Sequence, residues 1–212
     1  MDFLSTRTHI FLILVLQLFL VQTITLAQQK EYFYDNGNIK SRGGEWNGLK
    51  TGEWTHYYPD GTISAMEEYS EGVLNGSVKY YDFKGNLIGV ETWEKGFQED
   101  TAIYYFSNGN IEKTGMYKMG LYKGLWLFYV ESGILKRRGN YRDGLPTGYW
   151  EFNNEDGAPI QKGYYLEGIE HGAWEFYSND GRLEYTGFYD HGKKSGQWFY
   201  YDENGKKEEV KY

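Results

Sequence analysis

Glycine recurs every 24 residues along most of this chain. A fixed period of this length is typical of repeat architectures, in which each unit packs on its neighbours. The sequence therefore predicts an array of about eight units over residues 28–212, the last of them truncated. The periodic glycines, which follow one another without an insertion, are Gly37, Gly61, Gly85, Gly109, Gly133, Gly157, Gly181 and Gly205.

Each unit contains the pattern of a β-hairpin. Trp126 and Phe128 alternate with period two, so both rings project to one face of a strand, and other units repeat this pair. Asp or Asn then precedes the periodic glycine, which is a hairpin signal because glycine adopts positive φ without steric cost. The fixed φ of Pro59 favours position i+1 of a type I turn, with Gly61 left-handed in the bulge that follows.

Paired glycines indicate a second turn that joins each hairpin to the next. The segment from Gly144 to Gly148 is one such joint, and the segment from Gly192 to Gly196 is another. About sixteen strands spaced about 4.8 Å apart give an array roughly 75 Å long. The predicted fold class is all-β: an elongated, single-layer antiparallel array of β-hairpins, with one aromatic face and one face more open to water.

The unit, read across its joint, resembles a known family. The glycine and aromatic spacing of Tyr141 to Phe152, and again of Tyr189 to Tyr201, is similar to that of the MORN-repeat variant found in many bacterial proteins. The resemblance covers nearly all of Tyr32 to Tyr212 and implies 24-residue MORN-like repeats. It also implies functions, since similar proteins are often labelled antitoxin-like and MORN repeats elsewhere are scaffolds that contact proteins or lipids. Choline-binding and glucan-binding repeats, whose units are shorter than 24 residues, are a second resemblance.

The N-terminal segment has the features of a signal peptide. Arg7 and His9 precede an apolar stretch from Ile10 to Val21, and a small-residue cleavage site follows at Ala27. Gln17 interrupts the apolar run, which falls short of the roughly 20 residues of a spanning helix. We therefore expect residues 1–27 to be a cleaved signal peptide that directs the protein to the periplasm, the cell envelope or the exterior. Retention of the segment as an anchor is the alternative.

Composition and motifs argue against several function classes. The net charge of −8 disfavours general binding to nucleic acid or to anionic membranes. The absence of cysteine excludes disulfides, thiolate metal sites and a cysteine nucleophile. The sequence contains no nucleophile motif or phosphate loop, and His171 and His191 lie in different turns that are not expected to converge. The expectation is a protein that is not an enzyme and that has no cofactor and no metal.

Two units break the pattern of the tryptophan column. Val78 and Ala102 stand where the other units have a large ring, and Asp100 replaces a joint glycine. A thinner aromatic stripe predicts a groove suited to an extended peptide or a sugar. The alternative is that neighbouring side chains refill the space, as dense packing requires. The candidate groove residues are Trp54, Val78, Trp93, Ala102 and Trp126.

A basic segment lies between two acidic ones. Residues 28–100 carry 7 basic and 13 acidic side chains, residues 101–148 carry 7 and 3, and residues 149–212 carry 7 and 13. Segregated charge of this kind steers an acidic partner, although strand alternation sends Arg137 to the face opposite Lys136 and Arg138. The candidate partner-binding residues, here called the basic island, are Lys113, Lys118, Lys123, Lys136, Arg137, Arg138 and Arg142.

The expected function is that of an exported, non-enzymatic repeat scaffold that mediates protein–protein interaction. Exposed Tyr, Trp and charged side chains over several units suit such a surface. Two alternatives stay open: a cell-wall or glycan-binding module that stacks aromatic rings on sugars, and an antitoxin-like inhibitor of a toxic partner protein. Neither nucleic acid nor a membrane is an expected partner, and the sequence predicts no oligomeric state.

Overall fold

The protein forms one open antiparallel β-sheet, as the sequence predicted. A computed structural model describes residues 27–211, and within these residues 17 strands form one sheet and no helix is present. The predicted signal peptide, residues 1–27, lies outside the described residues apart from Ala27, as does Tyr212. Within the same range, the structure shows no helix long and apolar enough to cross a membrane.

The strands follow one another as a meander in which each pairs with the next along the chain. Both β7 and β8 pair with β6 and are two pieces of one strand, so sixteen strand positions are filled. The strands are β1 Gln28–Phe33, β2 Ile39–Trp46, β3 Leu49–Tyr57, β4 Ile63–Ser70, β5 Val73–Tyr81, β6 Leu87–Glu94, β7 Phe97–Gln98, β8 Asp100–Tyr105, β9 Ile111–Lys118, β10 Leu121–Tyr129, β11 Leu135–Arg142, β12 Leu145–Asn153, β13 Pro159–Leu166, β14 Ile169–Tyr177, β15 Leu183–Asp190, β16 Lys193–Tyr201 and β17 Lys207–Val210.

The turn inside each hairpin has the geometry predicted from its sequence. The Gly61 amide donates to the Tyr58 carbonyl at 2.9 Å, and Gly61 has a φ of 92°. The register shifts between His56 and Tyr57 on the adjoining strand, which is the expected bulge. The type I turn with Pro59 at position i+1 is therefore confirmed.

The joints between hairpins differ from the predicted five-residue turns. Asp143 and Gly144 alone form the loop, with φ of 50° and 79°, and β12 begins at Leu145. Positive φ at both central residues is the signature of a tight type I′ turn. Gly148 lies inside β12 at φ 66°, where the pairing with β11 shifts register. The first joint glycine therefore closes the turn, whereas the second permits a bulge that bends the strand.

Asp100 occupies the bulge position that glycine fills in other units, and it adopts nearly the same backbone angle. Its φ is 63°, against 65° for Gly124. A side chain in this left-handed region costs about 1 kcal/mol. Asp100→Gly is therefore expected to raise the free energy of unfolding by about 1 kcal/mol. Urea denaturation checks this, with Gly124→Asp as the reverse control that should lose a similar amount; a destabilised Asp100→Gly protein would contradict the assignment.

The core is a row of tryptophan rings, each of which lies flat on a glycine of the preceding strand. Trp150 is 2% exposed, and a Cβ placed on Gly139 would stand 2.0 Å from the ring. The indole N–H of Trp150 donates to the Asn140 carbonyl at 3.2 Å, and the Tyr141 ring packs edge-on with 5.0 Å between centroids. Glycine is required beneath each ring because any side chain would fill the same space. The pairs are Gly43–Trp54, Gly115–Trp126, Gly139–Trp150, Gly163–Trp174 and Gly187–Trp198. The face that carries them is called the front face, and the opposite one the back face.

Hydrogen bonds between successive turns tie the hairpins together along both edges of the sheet. At the joint edge, the Gly144 amide donates to the Tyr122 carbonyl at 3.1 Å. At the other edge, the side-chain amides of Asn108 and Asn110 both donate to the Glu131 carbonyl at 2.9 Å. Each hairpin is thus held to the next at its two ends, which is the nearest-neighbour arrangement of a linear array.

Candidate functional site

The candidate groove between the thinned tryptophan positions is closed. Val78 and Ala102 are 0% and 1% exposed, so neither side chain lines an open surface. Trp54 and Trp126 are also fully buried, and Trp93 is half-buried. The prediction of a peptide or sugar groove at these five residues is therefore wrong, because other side chains fill the space that the missing rings leave.

The filling comes from two glutamates that the sequence reasoning missed. In a regular unit, a glycine stands eleven residues before its tryptophan. In the two irregular units, Glu67 stands eleven residues before Val78, and Glu91 eleven residues before Ala102. Each Gly–Trp pair is thus replaced by a Glu and a small residue. The spacing was visible in the sequence and would have predicted this exchange.

Glu91 is a buried carboxylate that four side chains satisfy. It is 4% exposed. The Trp93 indole and the Tyr80 hydroxyl donate to Oε2 at 2.8 Å and 3.2 Å, and the Gln98 amide donates to Oε1 at 2.8 Å. The Tyr104 hydroxyl also donates to Oε1. Burial, reinforced by the Glu91 charge, raises the pKa of the Tyr80 and Tyr104 hydroxyls far above the usual value, which keeps both protonated as donors.

Glu67 is held by a histidine and a tyrosine. His56 Nε2 lies 2.8 Å from its Oε2, and the Tyr69 hydroxyl donates to the same oxygen at 2.7 Å. Burial alone pushes the pKa of Glu67 upward, but the contacts with His56 and Tyr69 and the nearby charges outweigh it, so the pKa is lowered overall. Glu91 is thus satisfied inside the core, and Glu67, whose side chain is 18% exposed, is held by His56 and Tyr69.

The basic island is divided between the two faces of the sheet. Lys113 and Arg137 belong to the front face, where each cation lies 4.2 Å from the centroid of an aromatic ring, Tyr104 for Lys113 and Phe128 for Arg137. Lys118, Lys123, Arg138 and Arg142 belong to the back face, so Arg137 and Arg138 point to opposite faces as predicted, whereas Lys136 lies in the bulge between Leu135 and Arg137. The island is therefore not one continuous patch.

Two cations of the back face are already paired with carboxylates. Lys118 forms an ion pair with Glu99, and Arg138 pairs with Glu151 across the β11–β12 ladder. The hydrogen bond from Arg138 lowers the pKa of Glu151. Lys162 and Glu175 continue this row on β13 and β14, so charges alternate across four strands. Among the residues that the structure describes, Lys123, Lys136 and Arg142 form no ion pair.

Three cations of the island meet in one surface cleft. Lys118, Lys123 and Arg142 line a depression of about 440 Å³ at the joint edge of β9–β12, together with Tyr122, Tyr141 and one carboxylate, Asp143. We call this depression the basic cleft. Two of its three cations lack a carboxylate partner, so it is suited to an anionic group of another molecule.

Exposed apolar side chains extend across the back face from the strands of the basic cleft to β15, and the first of them, Met116, pairs directly with Lys123. Each one directly follows or precedes a front-face glycine or tryptophan in its strand, which places it on the back face. The corresponding positions of the N-terminal half are polar: Glu53, Glu68, Ser77, Thr92 and Thr101. An apolar set confined to one half of a regular array is typical of an interaction surface. Its members, here called the back-face patch, are Met116, Leu125, Tyr149, Tyr164 and Phe188, which are 41–53% exposed.

The two histidines that were expected to stay apart lie close together. His171 near the start of β14 and His191 just after β15 have ring centroids 5.4 Å apart, and Asp190 lies between them. Antiparallel pairing of one hairpin produces this contact, since it sets the start of its first strand beside the end of its second. The expectation that these residues do not converge is wrong.

The comparison with known families gives three matches, each over one hairpin of the array. The MORN repeat variant matches the chain at residues 50–71, 101–119 and 170–191. These segments correspond to the hairpins β3–β4, β8–β9 and β14–β15. The resemblance read from the glycine spacing is therefore confirmed at three of the repeats.

Solved structures with some likeness to this chain are parts of much larger toxin complexes. The crystal structures of TcdB2-TccC3-Cdc42 and of TcdB2-TccC3 are each 14% identical, with TM-scores of 0.20 and 0.19; the matches cover 85% and 82% of this chain but 14% and 13% of those chains. A Photorhabdus luminescens Tc holotoxin pore is 11% identical over 85% of this chain and 13% of its own, with a TM-score of 0.20. Superpositions of this quality define no shared fold. The comparison with curated proteins gives no match.

Proposed function

We propose that this array of MORN repeat variants is an exported, non-enzymatic scaffold that binds an acidic protein partner through the back face of its C-terminal half. The observation that carries the proposal is the juxtaposition of the basic cleft with the back-face patch. Exposed aromatic and aliphatic side chains supply contact area, and cations without partners select acidic groups on the other protein. Export rests on the signal-peptide features of residues 1–27.

The front face offers much less for such contact. The tryptophans of its five Gly–Trp pairs are at most 2% exposed, and the glycines of these pairs are covered by the rings. The cations Lys113 and Arg137 lie over Tyr104 and Phe128, so their charge is engaged inside the sheet. The back face therefore provides the accessible combination of apolar area and free charge, and several consecutive hairpins contribute to it.

A glycan ligand is a second candidate, favoured by one observation. Tyr149 and Tyr164 are 41% and 47% exposed on adjacent strands, with ring centroids 5.3 Å apart. Exposed rings of this kind stack on sugar faces. An antitoxin-like inhibitor, by contrast, is one form of the protein-binding function, because its target would be an acidic toxic protein.

Reversal of the two free cations in the basic cleft tests the proposal. Lys123→Glu with Arg142→Glu is expected to reduce capture of the acidic partner from envelope and secreted fractions at least tenfold, because both charges would repel it. Quantitative pull-down with the full-length protein measures the loss. Lys79→Glu with Lys84→Glu changes the net charge equally in the N-terminal half and is expected to have little effect.

The outcomes separate the candidates. Equal losses of capture in both double variants would show that binding depends only on net charge, which would contradict the basic cleft as the binding site. Unchanged capture by Lys123→Glu with Arg142→Glu would also contradict it. Binding of cell-wall fragments that Tyr149→Ala abolishes, without any protein partner, would establish the glycan candidate in its place.

A further inference from the structure

The hairpin β14–β15 brings two imidazoles and a carboxylate to one point at the joint edge. His191 Nδ1 lies 2.7 Å from Asp190 Oδ1, and His171 Nδ1 lies 3.5 Å from the same oxygen. One ligand atom from each residue lies within 4.8 Å of the other two. All three side chains reach solvent, with exposures of 41% for His171, 62% for Asp190 and 71% for His191. An ion therefore has access to Asp190 and His191, whereas the Nδ1 atom of His171 is covered and reaches the ion only after the ring rotates.

Other units use the His171 position to cap the next turn. The side-chain oxygen of Asn75 accepts from the Lys95 amide at 3.1 Å, and Glu99 accepts from the Met119 amide at 2.8 Å. His171 stands at the equivalent position, but its Nδ1 is shielded from water and has no hydrogen-bond partner. Two of its counterparts, Asn75 and Glu99, are hydrogen-bonded, whereas the Nδ1 atom of His171 lies beside Asp190 without a hydrogen bond, which is costly unless another group binds it.

The backbone around the cluster is fixed independently of any ligand. His191 is a central residue of a type I′ turn at φ 48°, followed by Gly192 at φ 77°. The Gly192 amide donates to the Glu170 carbonyl at 2.9 Å, which ties this turn to the start of β14. The backbone of the ligand-bearing residues is therefore held in place by the fold.

We propose that His171, Asp190 and His191 bind a divalent transition metal of the zinc class. Zn²⁺ takes imidazole nitrogen at about 2.0–2.1 Å and carboxylate oxygen at about 2.0–2.2 Å, in tetrahedral sites that accept three protein ligands and an exchangeable fourth. Ca²⁺ and Mg²⁺ prefer oxygen ligands, whereas two of the three groups here are nitrogens. The fourth position is open to water. The site goes beyond the scaffold function and does not depend on it.

Each proposed ligand can be replaced by a residue that already occupies the equivalent position in another repeat. His171→Asn introduces the residue found at Asn75, Asp190→Ser the residue found at Ser70, and His191→Asn the residue found at Asn47. Asn at position 191 also suits the positive φ of the turn. Asp143→Ser is the matched control, because Asp143 holds the position of His191 in an earlier joint.

Calorimetric titration of the full-length protein, purified without a histidine tag, with zinc chloride tests the site. One equivalent of Zn²⁺ is expected to bind, each of the three variants is expected to bind at least tenfold more weakly, and Asp143→Ser is expected to stay within twofold of the parent protein. Zn²⁺ is also expected to raise the Tm of the parent protein and not that of His191→Asn, since only the folded site binds the ion.

Three results would overturn the site. They are no binding of one equivalent to the parent protein, binding that the three variants leave unchanged, and Ca²⁺ or Mg²⁺ binding as tight as that of Zn²⁺. Circular dichroism of each variant shows that it is folded, so that a loss of binding reports the ligands.

Discussion

Gly139→Ala is expected to lower the free energy of unfolding by about 3 kcal/mol, at the upper end of the cost of overpacking a core. The added Cβ would stand 2.0 Å and 2.1 Å from two carbons of the Trp150 ring. Both neighbouring strands fix that ring, which is 2% exposed and donates its N–H to Asn140. The ring has to tilt away or the strands have to separate. Chemical denaturation followed by circular dichroism measures the change.

Gly89→Ala is the matched control for this effect. Gly89 also lies within a strand without positive φ, and its added Cβ would approach Tyr80 and Tyr104 only to 3.2 Å and 3.3 Å. Ala65 already occupies the equivalent position one repeat earlier. The change is expected to cost less than about 1 kcal/mol, because alanine also lowers the entropy of the unfolded chain. Equal losses in the two variants would contradict the role assigned to the Gly–Trp pair.

Glu91→Ala is expected to have an effect of similar size for a different reason. The substitution removes the acceptor for four donors: Tyr80, Trp93, Gln98 and Tyr104. Each buried donor left without a partner costs about 1–3 kcal/mol, and a cavity adds to the cost. Partial relaxation at the sheet surface reduces the total, so we expect a loss of about 3–4 kcal/mol. Denaturation under the conditions used for Gly139→Ala gives the comparison.

Two variants control for the loss of the carboxylate. Glu94→Ala removes a glutamate of the same strand that is 56% exposed, and is expected to change stability by less than about 0.5 kcal/mol. Glu91→Gln keeps the volume and one acceptor oxygen, so it should cost less than Glu91→Ala. A Glu91→Ala protein as stable as the parent would show that the buried carboxylate does not hold this part of the core.

The sequence predicted the hairpin scaffold because each of its signals is local. Pro59 and Gly61 specify a turn within four residues, and the structure has that turn. The joint was predicted less well, because the whole segment from Gly144 to Gly148 was interpreted as one turn. Their spacing is shared by a long turn and by a tight turn followed by a bulge, and only the pairing of β11 with β12 separates the two.

The polar core was missed because its signal is a correlated substitution between strands. Val78 and Ala102 were noticed alone, as gaps in a column. The partners that fill those gaps, Glu67 and Glu91, lie eleven residues earlier, on the facing strand. A glutamate at a glycine position looks like a solvated strand residue. Its role becomes clear only when it is matched with the tryptophan that is missing eleven residues later. The groove prediction failed for this reason.

Charge patterns along the chain predicted a basic segment between two acidic ones, but not how its side chains are distributed over the sheet. The island is continuous in sequence, yet pairing with Glu99 and Glu151 engages Lys118 and Arg138. Lys123 and Arg142 converge only because β9 to β12 are adjacent. Residues that are distant in sequence, such as His171 and His191, meet for the same reason. Strand pairing thus decides the composition of every candidate site.

Lysine footprinting of the protein in complex with its captured partner tests the back-face interaction most directly. Acetylation followed by mass spectrometry compares the reactivity of each amine with and without the partner. The proposed interface predicts strong protection of Lys123 in the basic cleft, with Lys79 and Lys84 of the N-terminal half unchanged. Protection of Lys79 and Lys84 while Lys123 stays fully reactive would contradict it.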